Sequence, residues 1–414
     1  MTLKSRFLLI AIGLVIFLAA SPFLVLFARG YKYDFSKRQI VKTGSLIVRT
    51  EPSHAEILLN GKKNRADTPT TIRFLSPQDY IVTIKKPGYQ DWTKRLGIHS
   101  ELVTWANLDR EYIALFFVEP KILKEMNSME AILSPDYKEL LVLSQDKVSS
   151  INLNENQEQT LTPASYLNLI LTNSNTINKQ TAYQLLKNPN TIPFSNEQIL
   201  ASKKIISNNN YHAILSGGSL MITNLQSNPV FAIDDIQDFI LDDQILWFLE
   251  GNQLRRRDLR SNNNELLHPF VPAAADARLI RADGSLFLHL DKSLYILNDN
   301  LDLIYGNVSY AHFDPRSKQL VYANDHEIFL FNLNSQKSNL ILRSSSVISQ
   351  PIINSETGYV FFGNEGKIKA IEIDGRDHRN IYNIANFTKS FTLSENGKLL
   401  YVFDDSSVKV YQIR

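Results

Sequence analysis

The sequence contains no cysteine, which excludes disulfide bonds, thiol catalysis and cysteine metal sites, and which fits either a cytoplasmic or an envelope location. It also lacks an excess of one charge, because 44 basic and 42 acidic side chains leave a formal net charge of +2. No global basic field is present to attract nucleic acid, so we predict no nucleic-acid partner. The three arginines at 255–257 stand alone and are best interpreted as a solvated strand or turn.

Long hydrophobic runs are missing too, with one exception near the start of the chain. Residues 7–28 carry no charged side chain, and at ~1.5 Å per residue a helix of this length would be about 33 Å long, enough to cross a ~30 Å hydrocarbon core. Cleavage as a signal peptide is disfavoured because Pro22 would directly follow the best cut. We therefore predict a short tail at 1–6, an uncleaved transmembrane helix at 7–28 and a juxtamembrane stalk at 29–43.

Charges around this run leave its orientation open. Basic residues lie on both sides, namely Lys4, Arg6, Arg29, Lys32, Lys37 and Arg38. Counted alone, they place the large C-terminal part in the cytoplasm, although large domains translocate largely regardless of charge. Tyr31, Tyr33 and Phe35 in the stalk are suited to the level of the lipid headgroups.

Residues 44–110 alternate short strands with turns. Asn60 and Gly61 form a strong hairpin signal because both residues accept a positive φ. Pro87 and Gly88 suit a type II turn, and Trp92 supplies a large core residue. The pattern predicts a small all-β sandwich.

The motifs of this stretch resemble, in order, those of the PEGA domain. The resemblance is carried by Pro52, Ala55, Asn60, Gly61, Lys62, Thr68, Pro69, Gly88, Tyr89 and Trp92. It implies a small β-sandwich found in envelope and surface proteins of bacteria and archaea, often beside a membrane anchor, and it implies no catalytic residues. Ser53 and His54 depart from the Glu-Gly of the family name, and Gln78 stands where a turn glycine is usual. An extracytoplasmic spacer or binding module is the implied role.

Residues 111–414 consist almost entirely of short strand patterns. They recur in blocks of about 30–40 residues with three or four strands each, which is typical of β-propeller blades. The turns at 133–138 and 393–398 resemble the β-turn motif of TolB-like propellers. Seven blades are favoured if 165–200 belongs to an irregular blade with an insertion, in which 181–187 could form a helical turn, and eight are possible if that region is a blade of its own.

The end of the chain suggests how the ring closes. The last block has only three strands, at 391–393, 399–403 and 408–413. Residues 112–118 form a strongly apolar strand ahead of the first block. We expect this strand to pair as the missing outer strand, since that closes the ring and protects both open edges.

Patterns for metal binding or nucleophilic catalysis are weak. The eight histidines never occur at i, i+4 or as His-x-His, so they do not indicate a zinc site. Ser406 and Lys409 have serine–x–x–lysine spacing, but at a strand turn rather than on a helix, where that spacing would place both groups on one face. Asp374 and Asp377 flank too few suitably spaced oxygen ligands for calcium.

Acidic and amide-rich stretches leave two interpretations open. The aspartate pairs at 234–235, 242–243 and 404–405 could supply a glycosidase-like pair, yet turns favour aspartate at such positions. The asparagine runs at 208–210 and 262–264 are most simply solvated loops, and alternatively a polar rim for sugar or peptide contacts.

The predicted fold class is an all-β ectodomain, with an N-terminal transmembrane helix, a PEGA-like β-sandwich and a β-propeller. We expect no cofactor, no metal and no enzyme activity. The leading hypothesis is a membrane-anchored, extracytoplasmic envelope protein whose propeller binds a protein, glycan or cell-wall partner. The alternative is a propeller hydrolase or lyase acting on surface polysaccharide, with carboxylates, or a carboxylate and a histidine, converging at the channel mouth. An extracytoplasmic sensor is disfavoured because only a few residues precede the anchor.

Overall fold

The computed structural model describes residues 3–34, 38–108, 110–134, 138–145, 147–161, 166–173, 177–187, 192–314 and 317–414, with side chains of the first helix described from Ile12 onward. The chain divides into two compact units. The first comprises Met1–Glu119, Glu372–Tyr382 and Arg414, and the second comprises Pro120–Ile371 and Asn383–Ile413.

The first unit begins with one long helix. Helix α1 spans Leu3–Ala28 and contains Pro22. Its described side chains are mostly exposed, as the large apolar residues Val15 and Phe23 show. Over the residues that the structure describes, no helix is of sufficient length and apolarity for a membrane span.

The remainder of this unit is β-structure. Its strands are β1 (Tyr31–Asp34), β2 (Gln39–Lys42), β3 (Gly44–Val48), β4 (Thr50–Glu51), β5 (Glu56–Leu59), β6 (Lys62–Lys63), β7 (Thr70–Leu75), β8 (Gln78–Lys85), β9 (Trp92–Ile98), β10 (Val103–Trp105) and β11 (Ile113–Ala114). Strands β1 and β2 form a hairpin, and β11 pairs with β4. The two larger sheets have the orders β10–β3–β7 and β6–β5–β8–β9, with β3 parallel to β10 and antiparallel to β7.

One apolar core lies between the two larger sheets. Side chains alternate across a strand, so one face of β8 and one face of β9 point inward. Val82 and Ile84 of β8 meet Trp92 and Leu96 of β9 in this core, together with Leu46 of β3. The first unit therefore contains the small β-sandwich that the sequence predicted.

Strand β7 is irregular at Phe74. Its pairing with β3 shifts between Gly44 and Leu46, which marks a β-bulge. Phe74 has a φ of 59°, a left-handed conformation that bulky side chains rarely adopt. Its ring stacks on Phe27 of α1, with the centroids 4.8 Å apart and the planes at 16°.

The second unit is built from four-stranded sheets, which we number as blades 1 to 7. Blade 7 contains β12 (Lys121–Asn127), and blade 1 contains β13 (Glu130–Leu133), β14 (Glu139–Leu143), β15 (Val148–Asn152) and β16 (Gln157–Leu161). Blades 2 and 3 contain β17 (Ser202–Ser207), β18 (Tyr211–Ser216), β19 (Ser219–Asn224) and β20 (Pro229–Ile233), then β21 (Ile236–Asp242), β22 (Ile245–Glu250), β23 (Gln253–Asp258) and β24 (Asn264–His268).

The remaining blades follow in chain order. Blades 4 and 5 contain β25 (Ala277–Ala282), β26 (Ser285–Leu290), β27 (Ser293–Leu297) and β28 (Leu301–Gly306), then β29 (Tyr310–Asp314), β30 (Gln319–Ala323), β31 (Glu327–Asn332) and β32 (Lys337–Arg343). Blade 6 contains β33 (Ile348–Asn354), β34 (Tyr359–Asn364), β35 (Lys367–Glu372) and β36 (Ile381–Asn386), and blade 7 is completed by β37 (Ser390–Leu393), β38 (Leu399–Phe403) and β39 (Ser407–Gln412).

Blade 7 joins both ends of the second unit. Its order is β37–β38–β39–β12, and β12 runs antiparallel to β39 from Lys121 opposite Gln412 to Asn127 opposite Ser407. A strand that precedes blade 1 thus completes the last blade, as expected. Apolar packing continues between blades 1 and 7, where Leu140 lies in one cluster with Tyr401 and so closes the ring.

The prediction that residues 112–118 supply the outer strand of the last blade was wrong. Residues 112–118 belong to the first unit, in which Ile113 and Ala114 pair with β4 and Phe117 bridges to Tyr89. Ile113 and Leu115 are buried in the sandwich core. The outer strand β12 is largely exposed instead. The strong apolarity of 112–118 therefore indicates a core segment and not the outer edge of a blade.

An insertion separates blades 1 and 2. Helices α2 (Leu167–Thr172), α3 (Lys179–Lys187) and α4 (Asn196–Ala201) lie between β16 and β17. They pack in one apolar cluster with both blades, where Leu185 lies with Leu141 and Ile214. This region is an insertion and not an eighth blade, so the described part of the propeller has seven.

A serine organises both turns that resemble the TolB-like motif. Ser134 Oγ accepts a hydrogen bond from the backbone N–H of Glu139 at 2.9 Å. Ser394 Oγ accepts one from the backbone N–H of Leu399, also at 2.9 Å. Residues 135–137 of the first motif, and residues 35, 37 and 165 named above, lie outside the described residues.

Candidate functional site

A relay of hydrogen bonds brings four residues of the sandwich together. Thr68 Oγ1 accepts from the backbone N–H of Ala55 at 3.0 Å and lies 2.6 Å from Thr50 Oγ1. Thr50 Oγ1 donates to the Pro52 carbonyl oxygen at 2.7 Å, so Thr68 is the donor to Thr50. Pro52 and Pro69 follow cis peptide bonds. The predicted motif residues Pro52, Ala55 and Thr68 thus form one connection, which is buried at Ala55 and Thr68.

The predicted hairpin lies between β5 and β6. Asn60 and Gly61 have φ values of 49° and 78°, and Lys62 is exposed at the start of β6. Asn60 Oδ1 accepts from the backbone N–H of Ile81 at 2.8 Å. This bond ties the turn to β8, so the asparagine has a structural role beyond its conformation.

The other predicted motif residues lie around β9. Gly88 has a φ of 83°, and Tyr89 stacks on Phe117 with the ring centroids 4.6 Å apart. Trp92 is fully buried, and its Nε1 donates to Glu372 Oε1 at 3.0 Å.

Sequence reasoning missed Lys94, which is 0% exposed on the core face of β9. Its Nζ lies 2.9 Å from Glu372 Oε2 and donates to the Asp374 carbonyl oxygen at 2.8 Å. Asn380 Nδ2 donates to the same Glu372 oxygen at 2.8 Å. The available signal was the alternation from Trp92 to Ile98, which places Lys94 among inward-facing residues.

The segment Glu372–Tyr382 is held in the first unit by further polar contacts. Arg376 donates to the carbonyl oxygens of Trp105 and Ala106 at 2.9 and 3.0 Å, and also to Asp374. Burial tends to raise the pKa of Asp374, but hydrogen bonds from Arg376 and the charge of Lys94 outweigh it and hold that pKa below its usual range. Asp377, considered above for calcium, accepts from the backbone N–H of Arg95.

A polar cleft of about 560 Å³ opens on blade 1 of the second unit. Strands β14, β15 and β16 place Glu139, Asn152 and Gln157 in one row. Ser150 and Gln159 lie opposite each other in the next row on the same face. The cleft therefore presents a ladder of side-chain oxygens and amides.

The same face of blade 1 is apolar at its other end. Leu141 and Leu143 are buried there beneath the helical insertion. Helix α3 also supplies one wall of the cleft, since Tyr183 Oη donates to Glu139 Oε2 at 2.7 Å and Lys187 Nζ donates to Glu139 Oε1 at 2.6 Å. The region that fitted the repeat least well in sequence thus completes the site.

Two carboxylates that line the cleft are held in the ionised form, Glu139 among the inward-facing side chains and Glu158, which projects from the opposite face of β16 and bonds to Lys124. Burial tends to raise the pKa of Glu139, but hydrogen bonds from Lys187, Ser150 and Tyr183 lower it overall. Hydrogen bonds from Lys124 and Ser149 lower the pKa of Glu158 to about 2. A glycosidase acid requires a carboxyl that stays protonated near neutral pH. This arrangement is suited to holding a polar ligand and not to protonating a leaving group.

The aspartate pairs considered for catalysis lie at separate turns. Asp235 and Asp243 have positive φ values of 61° and 52°, on either side of β21 in blade 3. Asp404 follows β38 in blade 7 and accepts from Thr388 Oγ1 and Lys409 Nζ, each at 3.0 Å. Lys409 is thus engaged by a turn carboxylate. Among the residues described, no group of three or more histidine, aspartate or glutamate side chains is placed to hold a metal ion.

Comparison with known families settles the identity of the sandwich. The family model of the PEGA domain matches residues 43–111. This stretch is a PEGA domain. The Thr68 relay, the Asn60–Gly61 hairpin and the buried Trp92 are therefore features of a PEGA domain, and the family match leaves the propeller uncovered.

No curated protein sequence matches the chain significantly. Solved structures with similar folds include one titled as the mitotic checkpoint complex, with 10% identity over 71% of this chain and 96% of that chain and a TM-score of 0.42. Kluyveromyces lactis Hsv2 has 10% identity over 70% and 99%, with a TM-score of 0.40. The extracellular domain of the putative one component system BT4673 from B. thetaiotaomicron has 10% identity over 71% and 40%, with a TM-score of 0.39. The propeller fold of the second unit follows from its seven four-stranded sheets.

Proposed function

We propose that this protein is a membrane-anchored, extracytoplasmic binding protein whose propeller holds an envelope glycan in the cleft of blade 1. The observation that carries the proposal is the ladder of Asn152, Gln157 and Gln159 beside Tyr183. Amide side chains both donate and accept hydrogen bonds, which matches the donor and acceptor character of sugar hydroxyls. Asn152 Oδ1 accepts from the backbone N–H groups of Asn154 and Glu155, so Gln157 and Gln159 are the main amides offered to a ligand. Convergent polar groups in a concave site of this volume suit a small ligand or one short segment of a polymer.

Anchoring is proposed from the uncharged apolar sequence of residues 7–28. The extracytoplasmic side is proposed from the PEGA domain, which the resemblance associates with envelope and surface proteins. Protease treatment of intact cells and of spheroplasts tests this placement. We expect protection in intact cells that have an outer barrier and cleavage in spheroplasts. Protection in both would place the two units inside the cell and contradict the proposal.

Sedimentation with purified peptidoglycan, followed by titration with its soluble fragments, tests the cleft. The paired substitution Gln157→Ala and Gln159→Ala removes two amides from exposed positions of β16, so we expect binding to be lost while folding is unchanged. Asn339→Ala on the exposed outer strand β32 is the matched control, and it should bind like the unaltered chain. Equal binding by all three chains would exclude the cleft as the glycan site.

A hydrolase or lyase that acts on surface polysaccharide is the second candidate. It is favoured by one observation, that Glu139 and Glu158 both line the cleft, with the Glu158 side chain on the opposite face of β16 from Gln157 and Gln159. Their lowered pKa values argue against a general acid, so we expect no release of reducing ends from envelope polysaccharide. Release that disappears in Glu139→Gln would replace the binding proposal with an enzymatic one.

A further inference from the structure

The end of α1 and the first hairpin together form an apolar surface in the first unit. A groove of about 470 Å³ is lined by Phe23, Leu24 and Phe27 of the helix and by Tyr33 and Ile40 of the hairpin. All five side chains are substantially exposed. With Phe74, they are called here the interfacial platform.

The hairpin is fixed against the helix end and is not a free stalk. Only Arg29 and Gly30 separate α1 from β1, and the Gly30 carbonyl oxygen accepts from both the backbone N–H and the Oγ1 of Thr43. Thr43 directly follows β2, so both ends of the hairpin are tied to the same turn. The hairpin therefore takes its position from the helix.

The depth of the hairpin follows from helix geometry. Phe23 lies five residues before the last residue of α1, which corresponds to about 7.5 Å along the helix axis. Tyr33 and Ile40 line the same groove as Phe23. If residues 7–28 cross a bilayer and end at its surface, these hairpin side chains reach the boundary between headgroups and acyl chains.

The two rows of the hairpin differ in character. Tyr33 pairs with Ile40, and Lys32 pairs with Val41 in the alternate row, while Lys32 also lines the groove. Lys32 is exposed, as are Arg29 at the end of the helix and Arg38 next to β2. Exposed cations around an apolar, aromatic patch are complementary to a surface of anionic lipid headgroups.

Phe74 extends the platform from the PEGA domain itself. The bulge in β7 places this residue in a left-handed conformation with a φ of 59°, while its ring stacks on Phe27. Strained backbone conformations persist where the surrounding structure requires them. Here the bulge sets an aromatic ring of the sandwich beside the end of the proposed anchor.

We propose that the interfacial platform lies in the headgroup region of an anionic phospholipid bilayer and seats the base of the PEGA domain on the membrane. This inference rests on the proposed membrane anchorage. Aromatic side chains favour this level of the bilayer because their rings are amphipathic. The occupant of the groove is therefore lipid, and the surface is part of the membrane contact.

Depth-dependent fluorescence quenching in vesicles tests the proposal with the full chain. The sequence has no cysteine, so Gln39→Cys and Lys62→Cys on β6 each accept a single environment-sensitive fluorophore. Position 39 adjoins Ile40 but lies in the row of Val41, so its label reports the depth of the hairpin without replacing a platform side chain. In vesicles of phosphatidylcholine and phosphatidylglycerol with nitroxide-labelled lipids, we expect strong quenching at position 39 and little at position 62. In phosphatidylcholine alone, quenching at position 39 should weaken.

Variants of adjacent residues separate the platform from the hairpin as a whole. In the chain labelled at position 39, Ile40→Ser combined with Tyr33→Ser should abolish most of the quenching, whereas Val41→Ser in the alternate row should preserve it. Equal quenching in all of these chains would overturn the assignment of the platform face.

Alkaline extraction of the same vesicles distinguishes this proposal from the anchorage beneath it. A chain that stays in the membrane but shows no quenching at position 39 would retain the anchor and overturn the platform. A chain that is washed out would overturn both.

Discussion

The PEGA unit and the propeller stabilise their cores by different means. In the PEGA unit, a fully buried lysine, Lys94, is bonded to Glu372, which lies hundreds of positions later in the chain. In the propeller, apolar clusters join blades that follow one another in sequence, as Ile222 of blade 2 and Leu246 of blade 3 illustrate.

This difference has a physical consequence. Apolar packing is non-directional, so a repeat needs only the right hydrophobic pattern in each blade. A buried ion pair requires both charges in one geometry, and removing one of them leaves the other desolvated and unpaired. The small sandwich thus uses a directional contact to select a single distant segment, which a generic apolar surface would not do.

Removing the buried cation gives the largest expected effect. Lys94→Met keeps the length of the side chain but leaves Glu372 buried without its charge partner. We expect the free energy of unfolding of the first unit to fall by about 3–5 kcal/mol. Hydrogen exchange by mass spectrometry should show faster exchange in β8, β9 and the segment Glu372–Tyr382, which joins two strands of blade 6, while blades 1 to 5 keep their protection.

Two further chains check the cause of this effect. Combining Lys94→Met with Glu372→Gln removes both charges and should recover part of the loss. Lys63→Ala breaks the exposed pair with Glu56 and should cost no more than about 1 kcal/mol. If Lys63→Ala cost as much as Lys94→Met, burial would not be the origin of the effect.

A cavity created by substitution in the propeller tests whether apolar packing between neighbouring blades stabilises this unit. Leu246 is fully buried between blades 2 and 3, and Leu246→Ala should cost about 2–5 kcal/mol from lost burial and the cavity left behind. Exchange should accelerate in those two blades first, since only neighbouring blades share the cluster. Slower or unchanged exchange there would contradict local packing as the source of propeller stability.

Local chemistry made much of this molecule predictable. Asn60, Gly61 and Gly88 adopt the positive φ values that their turns require, and seven blades follow from the strand repeat. The partners of Lys94 were not predictable, because 280 positions separate its chain segment from Asp374. The apolar residues 112–118 were predicted as a blade edge because apolarity alone does not tell a core segment from an outer strand.

The candidate cleft was not predicted at all. Gln157 and Gln159 look like ordinary residues of an exposed strand, and their significance depends on the register that aligns them with Asn152 and Ser150. Tyr183 comes from an insertion whose position no local pattern encodes. A site assembled from the rows of a sheet and a separate helix requires the tertiary structure.

The propeller contains a buried histidine, His312, which should make the stability of this unit depend on pH. Burial lowers the pKa of His312 from 6.5 to about 4, with nearby Asp314 opposing the shift. The unfolded chain therefore binds more protons between these values, so stability is complete above about pH 6.5 and falls as the pH drops toward 4. The loss should reach about 2–3 kcal/mol. Denaturant titrations across this range should show it, and His312→Gln should flatten the profile.

The smallest effect is expected within the PEGA domain, at the hydrogen-bond relay of Thr68. Thr68→Val keeps the shape of the side chain but leaves the backbone N–H of Ala55 without its acceptor, at a cost of about 1–3 kcal/mol. The lower end applies because Thr50 retains its bond to the Pro52 carbonyl. Thr71→Val, at an exposed position of β7, should stay within about 0.5 kcal/mol. Amide exchange at Ala55 measures the difference. Equal exchange in both variants would mean that packing alone, and not the relay, joins these strands, and that Lys94 is the main polar determinant of the domain.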